Sequence, residues 1–574
     1  MRVADVLART LAAAGVRYAF GIPGGEILTL IDALDGAGIR FVTARHETAA
    51  GLMAEGSALA SGAPGLLAVT VGPGLTNAVN AIANAFLDRV PLIVCSGTPE
   101  GRFTHQVLDQ RALLQPIVKA SFRVDAANAQ AVITQAIAIA QAHPRGPVQI
   151  EVTPSVANEH VEIDGAGPAR NVRWESERVG MVTRGDTTVV VQDSFSSNVL
   201  AVSPSMGAAA DGGLVATSPA ERLHAASDWL ARAERPLVLV GLEATDTDVA
   251  AALAQLLERW PAPLLTTYKA KGVVSERDPR CVGAIALSPR ADAMVAPLLE
   301  RADVVLLVGY DPVEMRASYV EPFPSGTRVI ELAPVARTHA MHRADITCVG
   351  PLACALRQLA LQLPAARVCW PDGTPERVRS QLQSAFTCEA GIGFSPLDIA
   401  SVLAQRLPES VPLTIDTGAH RILLSQAPLA QRVRQVAQSN GLCTMGYALP
   451  SAMGISLASG CCPVVAAMGD GGFDMVLGEL ATLRDLALPV TMIVFDDQSL
   501  ALIDLKQRAS GYASCGVSLG ANDHVAPARA FGGSGERVHD RAGLEGALQR
   551  ALERRRGFSL ISCALQPGAY KGLI

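Results

Sequence analysis

The 574-residue chain has 49% hydrophobic and 18% charged residues and a formal net charge of −6. Its length exceeds what one hydrophobic core supports, and about 150 residues per domain predicts three or four domains. The acidic balance, without a Lys/Arg block, argues against a nucleic-acid partner, and no apolar run reaches the ~20 residues of a membrane helix. The 11 cysteines contain no C-x-x-C pair, which indicates a reduced compartment and no structural zinc.

The N-terminal stretch, MRVADVLARTLAAAGVRYAF, carries Val3, Val6, Leu7 and Leu11 at helical spacing. It lacks the continuous apolar core of a secretory signal peptide. We therefore expect it to form the first helix of a cytoplasmic protein.

Three segments alternate short apolar strands with helical patterns, which is typical of doubly wound parallel sheets. The predicted fold class is α/β, with domains at residues 1–158, 219–365 and 385–574. Residues 159–218, rich in Gly, Ala and Ser, are interpreted as a linker or insertion. In both the first and the third segment, a predicted helix leads directly into an apolar strand, so we expect two related domains that face one another. The predicted strands are 66–71, 91–95, 148–152, 236–240, 303–308, 328–332, 412–415, 463–468, 489–495 and 558–563.

The stretch 464–507 carries two acidic turns, each at the end of a predicted strand. Gly469-Asp470-Gly471-Gly472 follows the first strand, and Asp496-Asp497 ends the second, one helical crossover later. Open parallel sheets bind ligands at such strand ends, and the glycine turn offers backbone N–H groups to an anion. Mg²⁺ fits beside it, because it binds one or two carboxylates together with diphosphate oxygens. The predicted metal ligands are Asp470, Asp497 and the Ser499 carbonyl; the alternative is a tight turn and an ordinary strand end.

In the first segment, the loops 21–25, 45–47 and 72–77 follow predicted strands and should gather at one edge of the sheet. A glutamate at a helix start is usually a solvated partner of the helix dipole. The helix after Glu47, however, has almost no charge in AAGLMAEGSALAS. We therefore expect Glu47 to enter an apolar interface, where a carboxylate can hold or transfer a proton.

Taken together and in this order, RHETAAGLMAEG, VGPGLTN and the GDGG…DD pair resemble the thiamine-diphosphate (ThDP) enzymes of the acetolactate synthase group. THQVLDQRALLQPIVKAS (104–121) is similar to the matching part of catabolic acetolactate synthases and carboxyethylarginine synthases. TTYKAKGVV (266–274), VGYDPVE (308–314) and SNGLCTMGYALPSAMG (439–454) extend the resemblance. It covers nearly the whole chain outside 160–218.

The resemblance implies a pyrimidine-binding first domain, a central domain and a diphosphate-binding last domain. The active site would lie between the first domain of one subunit and the last domain of another, so a homodimer is the minimum unit and a homotetramer is common. Glu47 would hydrogen-bond a ring nitrogen of the aminopyrimidine, and Met445 would support the bent cofactor, although it could be an ordinary core residue. The cofactor supplies the difficult chemistry, while the protein supplies orientation and electrostatics.

Further positions match cofactor loops or the substrate side of this family. His420 among them could otherwise be a surface histidine. Gln106, after His105, matches a glutamine near the reacting carbon of carboligases, whereas simple decarboxylases have two adjacent histidines there; Gln106 is thus a predicted catalytic residue that favours ligation. The predicted cofactor-binding residues are Pro23, Asn77, Gly418, Ala419, His420, Leu442, Met445, Gly469, Asp470, Gly471, Gly472, Asp497, Ser499 and Leu500.

Two departures from the family pattern concern the acceptor and the flavin. Leu502, Ile503 and Lys506 line the predicted substrate pocket. Lys506 stands where biosynthetic acetolactate synthases carry a tryptophan that selects the larger acceptor, and it could instead meet an anionic acceptor. The stretch VGYDP (308–312) looks more like the flavin-free catabolic enzymes. FAD is therefore compatible with the fold but is not expected.

The predicted function is that of a ThDP- and Mg²⁺-dependent 2-oxoacid carboligase. It would decarboxylate pyruvate or a related 2-oxo acid and transfer the acyl carbanion unit to an acceptor. The alternative is a non-ligating 2-oxoacid decarboxylase or a carbon–carbon lyase on the same scaffold. A non-catalytic binding protein is disfavoured by the presence of Glu47, and a nicotinamide-binding protein by the absence of G-x-G-x-x-G after a strand.

Overall fold

The structure is a computed structural model that describes residues 1–100, 105–161, 218–314, 316, 319–337, 339, 341–364, 369–388 and 393–574. Nearly all of the predicted linker, 162–217, lies outside these residues, as does Thr104 of the THQ motif. Within the described ranges, none of the helices combines the length and the apolar character that crossing a membrane requires.

The first sheet has six parallel strands in the order β2-β1-β3-β4-β6-β5. Its central strands are apolar and buried along their whole length, as expected when helices cover both faces of a parallel sheet. The strands are β1 Tyr18–Gly21, β2 Arg40–Thr43, β3 Gly65–Val69, β4 Leu92–Gly97, β5 Ala120–Arg123 and β6 Pro147–Val152. The helices are α1 Val3–Ala13, α2 Leu28–Gly36, α3 Glu47–Ser61, α4 Pro73–Leu87, α5 Gln110–Leu114, α6 Ala129–Gln141 and α7 Pro154–Asn158.

The central sheet has the order β12-β11-β10-β7-β8-β9, so its first strand lies in the middle. Its first helix begins with a capping box, in which Ser218 and Glu221 satisfy each other's backbone N–H groups. The strands are β7 Pro236–Val240, β8 Leu264–Thr267, β9 Cys281–Ile285, β10 Val304–Val308, β11 Arg328–Ala333 and β12 Ile346–Val349. The helices are α8 Pro219–Arg232, α9 Thr247–Arg259, α10 Pro289–Arg301 and α11 Leu352–Gln362, followed by α12 Thr374–Phe386, which packs on α10 and β9.

The third sheet has the order β14-β13-β15-β16-β18-β17, which repeats the order of the first sheet strand for strand. The predicted α/β class with three doubly wound parallel sheets is confirmed, while the exact domain boundaries stay predictions. The strands are β13 Leu413–Ile415, β14 Val436–Gln438, β15 Val464–Gly469, β16 Val490–Asp496, β17 Ser534–Val538 and β18 Ser559–Ala564. The helices are α13 Pro396–Arg406, α14 Ala419–Gln426, α15 Ala448–Ala458, α16 Asp470–Met475, α17 Glu479–Leu486, α18 Ala501–Ala509, α19 Val525–Ala530 and α20 Arg541–Glu553.

Helices α3 and α15 join the first and third domains through glycine. A Cβ added at Gly56 would overlap the backbone oxygen of Ser451, and one added at Gly454 would overlap the backbone oxygen of Met53. Only glycine permits backbones to approach this closely. The two helices therefore form the principal link between the two halves of the chain.

A buried polar network lies beside this helix pair, where all three domains meet. Asn84 donates to Glu55 at 2.7 Å, and Ser439 donates to the side-chain oxygen of Asn84 at 2.5 Å. Lys269 of the central domain donates to Asp88 at 3.0 Å. Burial, reinforced by the charge of Asp88, raises the pKa of Glu55 to about 8. The domains are thus held together by hydrogen bonds and an ion pair as well as by apolar packing.

Candidate active site

Glu47 opens helix α3 at the carboxyl end of β2, and its side chain is buried, with 7% exposure. Its Oε2 accepts a hydrogen bond from the Asn77 side chain at 3.0 Å. Thr48 donates to the backbone carbonyl of Asn77, so the starts of α3 and α4 are tied together. The expectation that Glu47 leaves bulk solvent is met, and its partner is the predicted pyrimidine-side residue Asn77.

The glycine turns of the first domain bring the other predicted residues to the same edge. Gly72 has φ +65°, and a Cβ there would stand 2.9 Å from the backbone oxygen of Gln106. A Cβ at Gly24, next to the exposed Pro23, would overlap the side chain of Thr70. The loops that carry Pro23, Asn77 and Gln106 therefore converge at the ends of β1 and β3. A cavity of about 320 Å³ opens beside them, lined by Glu26, Val71, Pro99, Glu100, His105, Gln106 and Pro154.

Asp470 begins α16 at the carboxyl end of β15 and is 3% exposed. Its two carboxylate oxygens accept the backbone N–H groups of Gly471 at 2.8 Å and Gln498 at 2.6 Å. These bonds fix the side chain between the two acidic turns. Burial raises the pKa of Asp470 to about 6, and the nearby carboxylate of Asp496 adds to the effect.

The adjacent acids at the end of β16 point in different directions. Asp497 is buried, and among the described residues its Oδ2 has no hydrogen-bond partner. Burial together with the charge of Asp470 raises the pKa of Asp497 to about 7. Asp496 instead accepts from Ser562 at 3.0 Å and pairs with Arg537 at 3.2 Å. Asp496 is thus anchored to β17 and β18 through its Oδ2, whereas the charge of Asp497 is coupled to that of Asp470.

The glycine turn after β15 is tightly enclosed. A Cβ at Gly471 would stand 3.0 Å from Leu500, 3.1 Å from Leu519 and 3.8 Å from the terminal methyl of Met445. Met445 therefore lies over the turn, where the family resemblance expects a supporting side chain. A Cβ at Gly472 would come within 2.6 Å of the Asp416 carboxylate.

Asp416 was missed in the sequence, although an acid at the end of the predicted strand 412–415 is the same signal that identified Asp470. It is fully buried and accepts backbone N–H groups from Thr417, Gly446 and Tyr447 at 2.7–3.2 Å. Burial raises its pKa to about 6. Asp416 thus holds the turn before α15 against the glycine turn after β15.

His420 follows Gly418 and Ala419 at the start of α14 and is buried, so the alternative of a surface histidine is wrong. Its ring stacks on Phe495 at 5.2 Å and lies 3.5 Å from a Cβ built at Gly469. Burial, with the charge of Arg421, lowers its pKa to about 3, so the imidazole is neutral. Its Nε2 has no hydrogen-bond partner among the described residues.

The three predicted substrate residues lie on different faces of helix α18. Leu502 packs against the apolar core together with Leu505, while Ile503 is 45% exposed and Lys506 is exposed on the same helical face. Ile503 and Lys506 are therefore the two that face solvent.

The segment before this helix is held by the loop 517–519. Leu500 donates its backbone N–H to Val517 at 2.8 Å, and Ser499 bridges to Ser518. Leu442 lies partly exposed in a loop whose neighbour Gly441 donates to Asp88 at 2.8 Å.

The residues at the end of the third sheet fit a magnesium diphosphate group. Among the described residues, the buried polar atoms there without a hydrogen-bond partner include Thr417 Oγ1, His420 Nε2, Asp496 Oδ1 and Asp497 Oδ2. Such atoms are costly unless a ligand satisfies them. Two buried carboxylates with raised pKa values favour a cation between them, and the glycines at 471 and 472 leave no room for side chains. The site thus offers acceptor oxygens for the cation and hydrogen-bond donors for the diphosphate.

Three family models match the chain in the order in which its sheets occur. "Thiamine pyrophosphate enzyme, N-terminal TPP binding domain" matches residues 1–120, "Thiamine pyrophosphate enzyme, central domain" matches 223–359, and "Thiamine pyrophosphate enzyme, C-terminal TPP binding domain" matches 416–563. The two outer models include Glu47 and the Asp470–Asp497 pair, respectively.

Curated relatives match the chain over nearly its full length. "Acetolactate synthase" of Bacillus subtilis (strain 168) is 28% identical and covers 96% of this chain and 91% of the relative. "Acetolactate synthase, catabolic" of Raoultella terrigena is 28% identical over 96% and 92%. "Acetolactate synthase isozyme 3 large subunit" of Escherichia coli (strain K12) is 27% identical over 97% and 93%. The chain therefore belongs to the thiamine pyrophosphate enzyme family and is a ThDP-dependent enzyme of the acetolactate synthase type.

Proposed function

We propose that this enzyme is a ThDP- and Mg²⁺-dependent 2-oxoacid carboligase that decarboxylates pyruvate or a related 2-oxo acid and transfers the acyl unit to an acceptor. The observation that carries the proposal is a pair of unlike half-sites on two equivalent sheets. One presents the buried Glu47–Asn77 hydrogen bond, and the other presents the buried Asp470–Asp497 pair. The full-length similarity to proteins named acetolactate synthase supports the reaction class.

When bound, ThDP supplies the nucleophilic carbon and the electron sink for loss of CO₂. Glu47 would exchange a proton with a ring nitrogen of the cofactor. Asn77 occupies Oε2, and within the described residues Oε1 has no hydrogen bond and faces Gly74, where a Cβ would be 3.7 Å away. One carboxylate oxygen is therefore fixed by the protein, and the other is available for the proton.

Mg²⁺ would lie between Asp470 and Asp497, with the Ser499 carbonyl as a further ligand. The backbone N–H groups of Gly471 and Gln498 orient Asp470, as outer hydrogen bonds commonly do for metal ligands. The diphosphate would meet the glycine turn and the neutral His420, while Met445 would support the rings. Gln106, Ile503 and Lys506 would contact the substrates.

A homodimer, or a homotetramer built from it, with active sites between subunits is part of the proposal. Large apolar side chains are exposed close in sequence to both half-sites. Leu28 and Val107 flank the first half-site with 58% and 49% exposure, and Met475 and Tyr512 flank the second with 64% and 69%. Apolar groups gathered around a site favour coverage by a partner, and a second copy is the partner whose half-sites are complementary.

Subunit complementation tests the shared site. Glu47→Gln and Asp470→Asn subunits are each expected to be inactive alone. A heterodimer of the two, purified through different tags, contains one site with both lesions and one site with neither. We expect it to regain about half of the wild-type activity per dimer. If each site came from a single chain, every site would carry one lesion, and a heterodimer without activity would refute the shared site.

Product analysis tests the reaction. The enzyme is incubated with pyruvate, ThDP and Mg²⁺, and the products are separated by chromatography. We expect acetolactate, with a Gln106→His variant shifted toward acetaldehyde. Acetaldehyde alone from the wild-type enzyme would favour the non-ligating decarboxylase, and pyruvate left unconsumed would refute pyruvate as the donor.

The expectation that FAD is not required stays a prediction, and the central domain supports it. Dinucleotides bind at the switch point of a doubly wound sheet, here between the carboxyl ends of β7 and β10. The buried Glu314 carboxylate accepts the backbone N–H of Leu242 at 2.7 Å at this place. A phosphate group would have to displace this carboxylate. Purified enzyme that retains flavin absorbance after gel filtration would contradict the prediction.

A further inference from the structure

Two histidines and a glutamate lie together in the central domain, away from both half-sites. Glu331 belongs to strand β11, and His339 and His342 follow in the next loop. One ligand atom from each of the three lies within 4.8 Å of the other two. The carboxylate of Glu331 and Nε2 of His342 are 3.6 Å apart. Among the described residues, this is a cluster whose side chains match the donors that transition metals prefer.

The state of His342 points to a missing ligand. The residue is 6% exposed, and neither ring nitrogen has a hydrogen-bond partner in the described part of the chain. A buried imidazole is normally hydrogen-bonded through at least one nitrogen, because leaving it unpaired costs about 1–3 kcal/mol. The ring packs between His339, at 4.5 Å, and Tyr310, at 5.6 Å. Packing therefore fixes its orientation, and the Glu331 carboxylate, 3.6 Å from Nε2, lies just beyond hydrogen-bond distance.

The surrounding charges permit a cation. Arg337 pairs with Glu243 and lies 3.6 Å from Asp311, and Arg343, which directly follows His342, donates to the backbone carbonyls of Pro324 and Thr327. Thr347 on the neighbouring strand donates to Glu331 at 3.4 Å, which orients the carboxylate. Such outer hydrogen bonds commonly orient carboxylates that bind a metal.

We propose that Glu331, His339 and His342 form a binding site for a divalent transition-metal ion of the Zn²⁺ type. Zinc binds histidine nitrogen and carboxylate oxygen at about 2.0–2.2 Å in a tetrahedron, so its ligand atoms lie roughly 3.3 Å apart. The Glu331–His342 pair already approaches this spacing, and a ligand atom of His339 lies within 4.8 Å of both. Three protein ligands leave the fourth position for water.

His339 is the weakest of the three ligands. Its Nδ1 accepts the backbone N–H of Met341 at 3.2 Å, and a neutral imidazole has only one nitrogen lone pair. An ion bound to the neutral ring must therefore replace this hydrogen bond. The site was not anticipated from the sequence because only cysteine spacing was considered as a signal for zinc.

Metal binding is tested with the full-length enzyme saturated with ThDP and Mg²⁺, so that the Asp470–Asp497 pair is occupied. Zn²⁺ is titrated in competition with a chromogenic chelator, and Co²⁺ is added separately to record its visible absorption. We expect one Zn²⁺ per chain and the intense visible bands of tetrahedral Co²⁺ with nitrogen and oxygen ligands. Binding through the exposed Cys461 and Cys462 would instead give a sulfur charge-transfer band.

Three variants assign the site. His342→Asn and Glu331→Gln are each expected to weaken Zn²⁺ binding at least about tenfold, and His339→Gln is expected to weaken it less. His224→Asn, an exposed histidine of the same domain, is the control and should bind as the wild type does. His339→Gln removes a half-exposed ring, so it keeps the test valid if a core variant fails to fold. Equal Zn²⁺ affinity in all variants, or a sulfur band only, would mean an adventitious ion only and would overturn the proposal.

Discussion

The first and third sheets have the same strand order, but different residues stand at the carboxyl ends of their strands. In the first domain, Glu47 accepts a hydrogen bond from the Asn77 amide, and Glu26 and Glu100 line the neighbouring cavity. In the third domain, the strand ends present the buried acids Asp416, Asp470 and Asp497, each beside a glycine turn or backbone N–H groups. The difference shows that the scaffold only fixes where side chains gather, and that a few strand-end residues decide what they bind.

The largest expected effect comes from removing the carboxylate of the first domain. Glu47→Gln keeps the size of the side chain and the contact with Asn77 but cannot exchange a proton. We expect kcat to fall about 10²–10⁴-fold while ThDP binding persists. Steady-state kinetics at saturating ThDP, with ThDP affinity from fluorescence quenching, check this. Glu159→Gln, at an exposed position, is the matched control; a fully active Glu47→Gln enzyme would remove the proposed role.

The adjacent acids of the third domain should separate binding from stability. Asp497→Asn is expected to weaken Mg²⁺-dependent ThDP binding at least about tenfold, because it removes a metal ligand. Asp496→Asn should leave that binding nearly unchanged and lower the free energy of unfolding by about 1–3 kcal/mol, since Arg537 and Ser562 lose their charged partner. Isothermal titration and urea unfolding distinguish them. The reverse pattern would assign the metal to Asp496.

The contact between the two domains should be sensitive to a single methyl group. Gly454→Ala forces a Cβ onto the backbone of α3, and Gly56→Ala forces one onto the backbone of α15. We expect each to lower the free energy of unfolding by about 1–3 kcal/mol. Gly36→Ala, where a Cβ would meet nothing within 4 Å, is the control and should be close to neutral. Similar stability for all three variants would show that the helices can separate without loss.

The most gradual effect is a dependence of the free energy of unfolding on pH, and it comes from Glu55. Its pKa, about 8 in the folded protein, exceeds the ordinary value of 4.5, so the folded state holds a proton that the unfolded state has released between these values. Stability from this group is therefore lost as the pH rises through that window, by up to about 1.4 kcal/mol per pH unit. Glu55→Gln keeps an acceptor for Asn84 and should flatten this slope in urea unfolding. An unchanged slope would place the proton elsewhere.

Long buried strands could be predicted from the sequence, because a continuous apolar run marks a strand that is covered on both faces. The strands 236–240, 328–332 and 489–495 were found in this way. Edge strands such as β5, β14 and β17 were missed because they are short or only partly buried. Apolar runs thus located most inner strands but missed the short inner strand β8 as well as these edge strands.

The acidic turns could be located because they follow predicted strands, but their orientation could not. Asp497 was predicted as the partner of Asp470, but the contacts that hold Asp496 to Arg537 and Ser562 of distant strands could not be predicted. The Lys269–Asp88 ion pair depends in the same way on two domains meeting. Such contacts are properties of the assembled chain rather than of any local pattern.

The contact between α3 and α15 is reciprocal. Gly56 touches Ser451 and Gly454 touches Met53, so a step of three residues back along one helix corresponds to a step of three residues forward along the other. Such an isologous, antiparallel contact is the arrangement produced by a twofold axis. The chain therefore contains a pseudo-twofold axis that relates its first and third domains.

The sequence offset that relates Met53 to Ser451 and Gly56 to Gly454 also relates Glu47 to Met445. The residue proposed to exchange a proton with the cofactor and the residue proposed to support it thus occupy symmetry-equivalent positions. The first and third domains of a chain are thus arranged like two similar subunits joined in one polypeptide. At the equivalent position, the first domain has an acid, Glu47, and the third has a thioether, Met445. Two such chains would contribute four of these outer domains and two complementary pairs of half-sites, as a dimer with two active sites requires.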